Sequence, residues 1–170
     1  MELRSVLAVV LLLGAKVLSC PNLAKEAQKM ANHGKEKLKH YHEAISSKLP
    51  ALEENVTSVG DIHRPDQNAS AVMKSTILLF HCYMKEAIQF PLQKEEKKGF
   101  EEIAQKISHL QESLIGHGKA TCKPITHLKH DSTKFEFGAK LLILYVQWME
   151  KLQVLLSDHH CKQAKSKRLK

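Results

Sequence analysis

From Asn22 to Leu49 the apolar residues Leu23, Ala27, Met30, Leu38, Tyr41, Ile45 and Leu49 recur at helical steps, with Gly34 filling the gap in the stripe. That spacing predicts one buried face of an α-helix. The opposite face carries Lys25, Lys29, Lys35, Lys37 and Lys39, and Pro50 ends the element. Residues 51–69 lose the pattern and read as a long connection, with a short helical turn near Leu52. Ser70 to Phe90 is apolar over a wide arc (Val72, Ile77, Leu78, Leu79, Phe80, Tyr83, Met84, Ala87, Ile88), as expected of a helix near the centre of a bundle, and Pro91 stops it. Phe100, Ile103, Ile107, Leu110 and Leu114 mark a third helix from Lys94 to Ile115, closed by Gly116 and Gly118. A polar connection with Cys122 and Pro124 follows. The last helix, Ser132 to Asp158, is the most apolar segment beyond the N-terminal leader. Its run Leu141–Val146 would suit a buried strand in isolation, but the flanking helical pattern decides against it. The expected fold is all-α, an up-and-down-type four-helix bundle with a long first connection.

The N-terminus changes the picture by placing the chain outside the cytosol. Arg4 is followed by an apolar run from Val6 to Ala15, and Val17 and Ser19 occupy the small-residue positions before a cut at Cys20. This is the layout of a secretory signal peptide over residues 1–19, too short for a membrane span of ~20 residues. Val17-Leu18-Ser19-Cys20 also resembles a bacterial lipoprotein processing site. A helical domain over 20–161 and a basic, disordered tail over 162–170 complete the organisation, with no further hydrophobic span and no stable membrane insertion expected. Loss of Glu2, Arg4 and Lys16 with the leader takes the net charge from +8 to +7. Sulfated glycans, anionic membranes or an acidic receptor face suit that charge, and nucleic acid is not expected for a secreted chain.

Cys20, Cys82, Cys122 and Cys161 all survive removal of the leader, and an even count in a secreted chain predicts two disulfides, with three pairings open. A lone cysteine on an apolar helix, as at Cys82, is often a buried hydrophobe, but pairing is the better expectation here. Asn55-Val56-Thr57 and Asn68-Ala69-Ser70 are glycosylation sequons in or beside the long connection. No GxSxG, HExxH or phosphate-cradling glycine loop appears, and no cofactor or catalytic residue is expected. Among the 11 histidines, His40 with His42, His127 with His130, and His159-His160 beside Cys161 have no third ligand at a recognisable spacing, so no metal site is expected. Lys165, Lys167, Arg168 and Lys170 form a terminal basic run suited to heparan sulfate or anionic lipid.

The cysteine layout resembles that of the class II helical cytokines, the interleukin-10 and interferon group, and most closely the interleukin-22 type. The matching residues are Cys20 near the mature N-terminus, Cys82 in His81-Cys82-Tyr83-Met84-Lys85, Cys122 after His109–Leu114, and Cys161 at the C-terminal end, with Trp148-Met149-Glu150-Lys151 similar to the end of the last helix. Where that group carries an acidic Gly-Glu-Leu-Asp-like stretch, this chain has Gly138-Ala139-Lys140-Leu141-Leu142. The resemblance implies disulfides Cys20–Cys122 and Cys82–Cys161. It also implies a secreted cytokine that assembles a heterodimeric cell-surface receptor in immune or epithelial defence. By position it assigns Lys29, Lys35, Asp61, His63, Arg64 and Lys151 to the receptor face. The alternatives are an interferon or another four-helix cytokine, and a cationic, membrane-active bundle.

Overall fold

The computed structural model describes residues 20–48, 56–116 and 121–158, without the side chains of Cys20, Pro21 and Asp158. The leader, Asn55, the stretch around Leu52, the His159–His160 pair, Cys161 and the tail lie outside the described residues. Four helices carry the fold: α1 (Cys20–Ile45), α2 (Ala69–Ala87), α3 (Lys94–Leu114) and α4 (Asp131–Asp158). Between α1 and α2 lies a hairpin of β1 (Ser58–Val59) and β2 (Ile62–His63).

The apolar stripes meet in one core. Ala27, Met30, Tyr41 and Ile45 of α1, Ile77, Phe80 and Met84 of α2, and Phe100, Ile103, Ile107 and Leu110 of α3 are all buried. From α4 come Leu141, Leu142, Leu144, Tyr145, Trp148, Met149 and Leu152. Burying a side chain of this kind stabilises the fold by roughly 1.5–3 kcal/mol relative to leaving it in water. The arc on α2 is wider than the face it buries: Val72 is exposed, and Leu78 and Leu79 are half-buried.

Packing contacts fix the directions of the helices. Gly34 of α1 lies against Tyr145 and Val146, while Tyr41, further along α1, donates its hydroxyl to the Phe135 carbonyl at 2.9 Å. Those pairs run in opposite order, so α1 and α4 are antiparallel. Phe80 stacks edge-on against Tyr145 and Tyr83 against Phe137, so α2 and α4 are antiparallel as well. It follows that α1 and α2 point the same way. The short turn through Phe90 and Pro91 reverses the chain into α3, which lies antiparallel to α1 through Lys37–Glu102 and Tyr41–Phe100. Direction alternates across the α2–α3 turn only. Each of the two long connections joins helices that point the same way, which a simple up-and-down order does not contain.

Gly34 is one of the places where α1 and α4 approach closely. A Cβ there would stand 2.9 Å from Tyr145 Cε1 and 3.0 Å from Val146 Cγ2, closer than real contacts allow. The gap in the hydrophobic stripe is thus a contact, filled from the other helix.

Two expectations need correction. The connection over 51–69 is not patternless, because Val59 pairs with Ile62 across a two-residue loop. Gly60 has φ +53° and Asp61 is not left-handed, the signature of a type II′ hairpin turn. The implied disulfides also fail, because the observed bridge is Cys82–Cys122, with Cα atoms 5.2 Å apart. The reason is the length of the bundle. Tyr83, beside Cys82, packs on Phe137 near the start of α4, and about 30 Å of helix separates Phe137 from Asp158 at ~1.5 Å per residue. Cys82 therefore sits at the end of the bundle remote from Asp158, the last described residue of α4. Cys122, bonded to Cys82, is as remote from Cys20 at the opposite end of α1.

Candidate functional site

The surface that collects the most of the expected residues is built on the exposed side of α4. Trp148 points from α4 into the groove under the hairpin and donates its indole N–H to the His63 carbonyl at 2.6 Å. Glu150, two residues on, points the other way and pairs with Lys35 of α1 at 2.6 Å. Successive helical residues are separated by about 100°, so Lys151 emerges between these two directions, half-exposed, beside the exposed Val154. One ridge of α4 is thus flanked by α1 on one side and by the hairpin on the other.

The hairpin is held rigidly enough to present its turn. Val59 and Ile62 are buried against the helices, and the Asp61 backbone N–H approaches the Tyr83 hydroxyl at 3.4 Å. The Arg64 N–H donates to the Thr57 carbonyl. The Asp61, His63 and Arg64 side chains are left exposed. Any side chain at Gly60 would collide with Tyr83 as well as strain the positive φ.

Of the expected receptor residues, Asp61, His63 and Arg64 share the hairpin, while Lys35 and Lys151 flank Glu150. Lys29 is exposed nearly two turns before Lys35 on α1. Lys37, grouped in the sequence with the solvent-facing lysines, instead turns across to α3 and meets Glu102 at 2.8 Å. His33 reaches the same carboxylate at 3.1 Å. Burial, together with Lys106 and Lys37, lowers its pKa and so favours the neutral imidazole at this contact. Glu102 in turn is held below the usual carboxylate range, first by the Lys37 hydrogen bond.

Other chemistry is sparse among the described residues. A cleft of ≈ 270 Å³ between α1 and α3 is edged by Glu36, Lys37, His40, Glu95 and Glu96. Its charges are mixed and it holds no paired nucleophile and base. His127 and His130 are exposed in the irregular connection before α4. No three His, Cys, Asp or Glu among the described residues group as metal ligands, and no described helix is long and apolar enough to cross a membrane. Asn68 is exposed at the start of α2 and its side chain caps nothing there.

No protein-family model matches the chain, and no curated protein or solved structure is significantly similar to it.

The sequence carries a signal for the hairpin that lies outside the helical periodicity. Val59-Gly60-Asp61-Ile62 is a Gly-Asp pair between apolar residues, a recognised two-residue hairpin loop. Trp148 fills the core, at 4% exposed, and its N–H is also the clamp on the hairpin.

Proposed function

We propose that this protein is a secreted helical cytokine that binds cell-surface receptor chains through the α1–α4 face and the adjoining hairpin. The observation that carries the proposal is the order of helix directions. Two parallel pairs, each joined by a long connection, and a short reversal between α2 and α3 make the up-up-down-down arrangement used by growth-hormone and cytokine bundles. The fold reading alone is an analogy. The α4 ridge adds a site to it: charged residues around the exposed Val154, flanked by a clamped hairpin and by Lys35.

Binding at such a face is interface packing with charge steering. Val154 offers an apolar contact near the middle, and Lys29, Lys151 and Arg64 set the approach of an acidic receptor surface. A second face recruits a second receptor chain, and the paired intracellular segments bring their kinases together. The leader at residues 1–19 and glycans at Asn55 and Asn68 belong to the same reading. A glycan on Asn68 would lie at the start of α2, at the end of the connection that carries the hairpin.

The test is to display paired cytokine-receptor ectodomains on cells and add the folded, secreted protein. Binding that drives receptor phosphorylation and is weakened at least tenfold by Arg64→Glu with Lys151→Glu supports the proposal. A folded protein that engages no receptor pair, or one whose binding ignores both substitutions, overturns it.

A further inference from the structure

We propose that the cleft between α1 and α3 binds a small organic cation, an ammonium group on a short apolar stem. This site goes beyond the receptor reading, which uses the α1–α4 face and the hairpin. The cleft has a volume of ≈ 270 Å³. That is far more than the ~30 Å³ of a water molecule and just under the ~300–1,000 Å³ common for small-molecule sites, so its ligand is compact.

The base of the cleft is apolar. Tyr41 and Phe100 meet there edge to face, with ring centroids 5.5 Å apart, and Leu142 reaches the floor from α4. Gly99 lines the α3 side. A glycine inside a helix is destabilising relative to alanine, so this position calls for a reason. Close packing does not supply one. A Cβ at Gly99 would meet nothing nearer than the flexible stem of Lys37, at 3.4 Å. By contrast, a Cβ at Gly34 would stand 2.9 Å from the Tyr145 ring, and one at Gly138 would collide with the Tyr41 hydroxyl. What the missing side chain at Gly99 provides is the space of the cleft.

The rim is acidic, with carboxylates from both helices. Glu36 stands on α1, and Glu95 and Glu96 face it from the first turn of α3. The two on α3 also complement the dipole at that helix N-terminus, but Glu36, in the middle of α1, has no such reason to be there. Burial and, after it, the charge of Glu96 raise the Tyr41 pKa, so this carboxylate acts on the floor of the cleft. Lys37 brings the opposing charge, but its ammonium is turned to Glu102 at 2.8 Å. His40 stands at 4.0 Å from Glu36 and 3.9 Å from Glu43. The chain as a whole carries +8, and its long-range field repels cations, so a cation held here is held by local contact. Carboxylates above an apolar floor match a cationic head on an apolar stem. A neutral molecule of the same shape gains only the floor, and an anion is repelled by the rim.

The experiment titrates the folded, isotope-labelled full chain at pH 7.5 with phenethylammonium and follows the amide chemical shifts. Neutral phenethyl alcohol and anionic hydrocinnamate, which keep the ring and the stem, are the comparators. The expected result is saturable shifts centred on His40, Gly99 and Phe100, with a Kd of about 1 mM or below. The alcohol binds at least tenfold more weakly and the carboxylate does not bind. Glu36→Gln with Glu96→Gln weakens the ammonium at least tenfold while the spectrum away from the cleft stays as it was. Gly99→Ala weakens it at least threefold and raises the urea midpoint, because the added methyl enters the cleft and favours the helix. Absence of saturable shifts up to about 10 mM, shifts centred elsewhere, equal binding of the alcohol, or binding that ignores both variants overturns the proposal. Tighter binding of N-acetylarginine methylamide than of the free amine also overturns it, since the cleft then serves a basic side chain of a protein partner. The titration reads no receptor, so its failure leaves the receptor reading standing.

Discussion

Two buried tyrosines make opposite use of their hydroxyl groups. Tyr41 donates to the Phe135 carbonyl across the α1–α4 interface, whereas the Tyr145 hydroxyl, fully buried, has no hydrogen-bond partner among the described residues. Burial raises the pKa of both, so neither ionises under ordinary conditions. Removing a bonded buried hydroxyl costs about 1–2 kcal/mol, while removing an unbonded one relieves a desolvation cost. Tyr41→Phe is therefore expected to lower the urea midpoint, and Tyr145→Phe to leave it unchanged or raise it. His33 supplies a pH dependence at the same scale. Its folded-state pKa is lowered by burial, so as pH falls below about 6.5 the unfolded chain takes up a proton that the folded chain resists. Stability from this group is complete above that pH, declines below it, and levels off once pH passes the folded pKa. His81, also lowered by burial and by Lys85, acts in the same direction. Glu102 loses its contribution only at lower pH, below the ordinary carboxylate range, because its folded pKa is depressed. Urea midpoints measured from pH 7.5 to 5 should show a smaller decline in His33→Gln than in the unsubstituted protein.

At the scale of elements, the hairpin and the second long connection each have one bond that fastens them to the helices. The Trp148 N–H holds the hairpin through the His63 carbonyl, and the Cys82–Cys122 bridge holds the connection between α3 and α4 onto α2. Trp148→Phe keeps much of the packing and removes the donor. Amide exchange at Val59 and Ile62 is expected to accelerate at least tenfold, with little change in the middle of α3. Cys82→Ser with Cys122→Ser opens a loop with a sequence separation of 40, and the chain-entropy model puts the loss near 4 kcal/mol, to be read from chemical denaturation. The helices themselves were legible in the sequence. Expected boundaries fall within a few residues of those observed, because long stripes with steps of three and four, ended at Pro50, Pro91 and Gly116, leave little else for the chain to do. The hairpin was not read, because two-residue strands are too short to show an alternating pattern. The direction of α2 relative to α1 was not legible either. Local periodicity says which face is buried and nothing about which way a long connection carries the chain.

At the scale of the whole molecule, charge and bridging set regions of the bundle apart. The Cys82–Cys122 bridge departs from the pairing that the resemblance implies because it joins residues that coincide at one end of the bundle, whatever the order of the cysteines along the chain. The order of the cysteines does not contain that information; the contact of Tyr83, beside Cys82, with Phe137 near the start of α4 does. The net charge of +8 acts over longer distances than any contact, and two sets of its basic groups can be separated experimentally. Lys29, Arg64 and Lys151 are on the folded surface, while Lys165, Lys167, Arg168 and Lys170 are in the tail. If the proposed receptor approaches the α4 ridge, removing residues 162–170 should lower the salt needed to elute the protein from heparin and leave receptor dissociation unchanged. Lys29→Glu with Lys151→Glu should instead slow receptor association by about tenfold at low salt, with the difference shrinking as the Debye length falls below ~10 Å above 0.1 M. Peripheral charges act mainly on encounter, so the dissociation rate should change far less than the association rate. If tail removal abolishes receptor binding while the double reversal leaves it intact, the α4 ridge is not the receptor face.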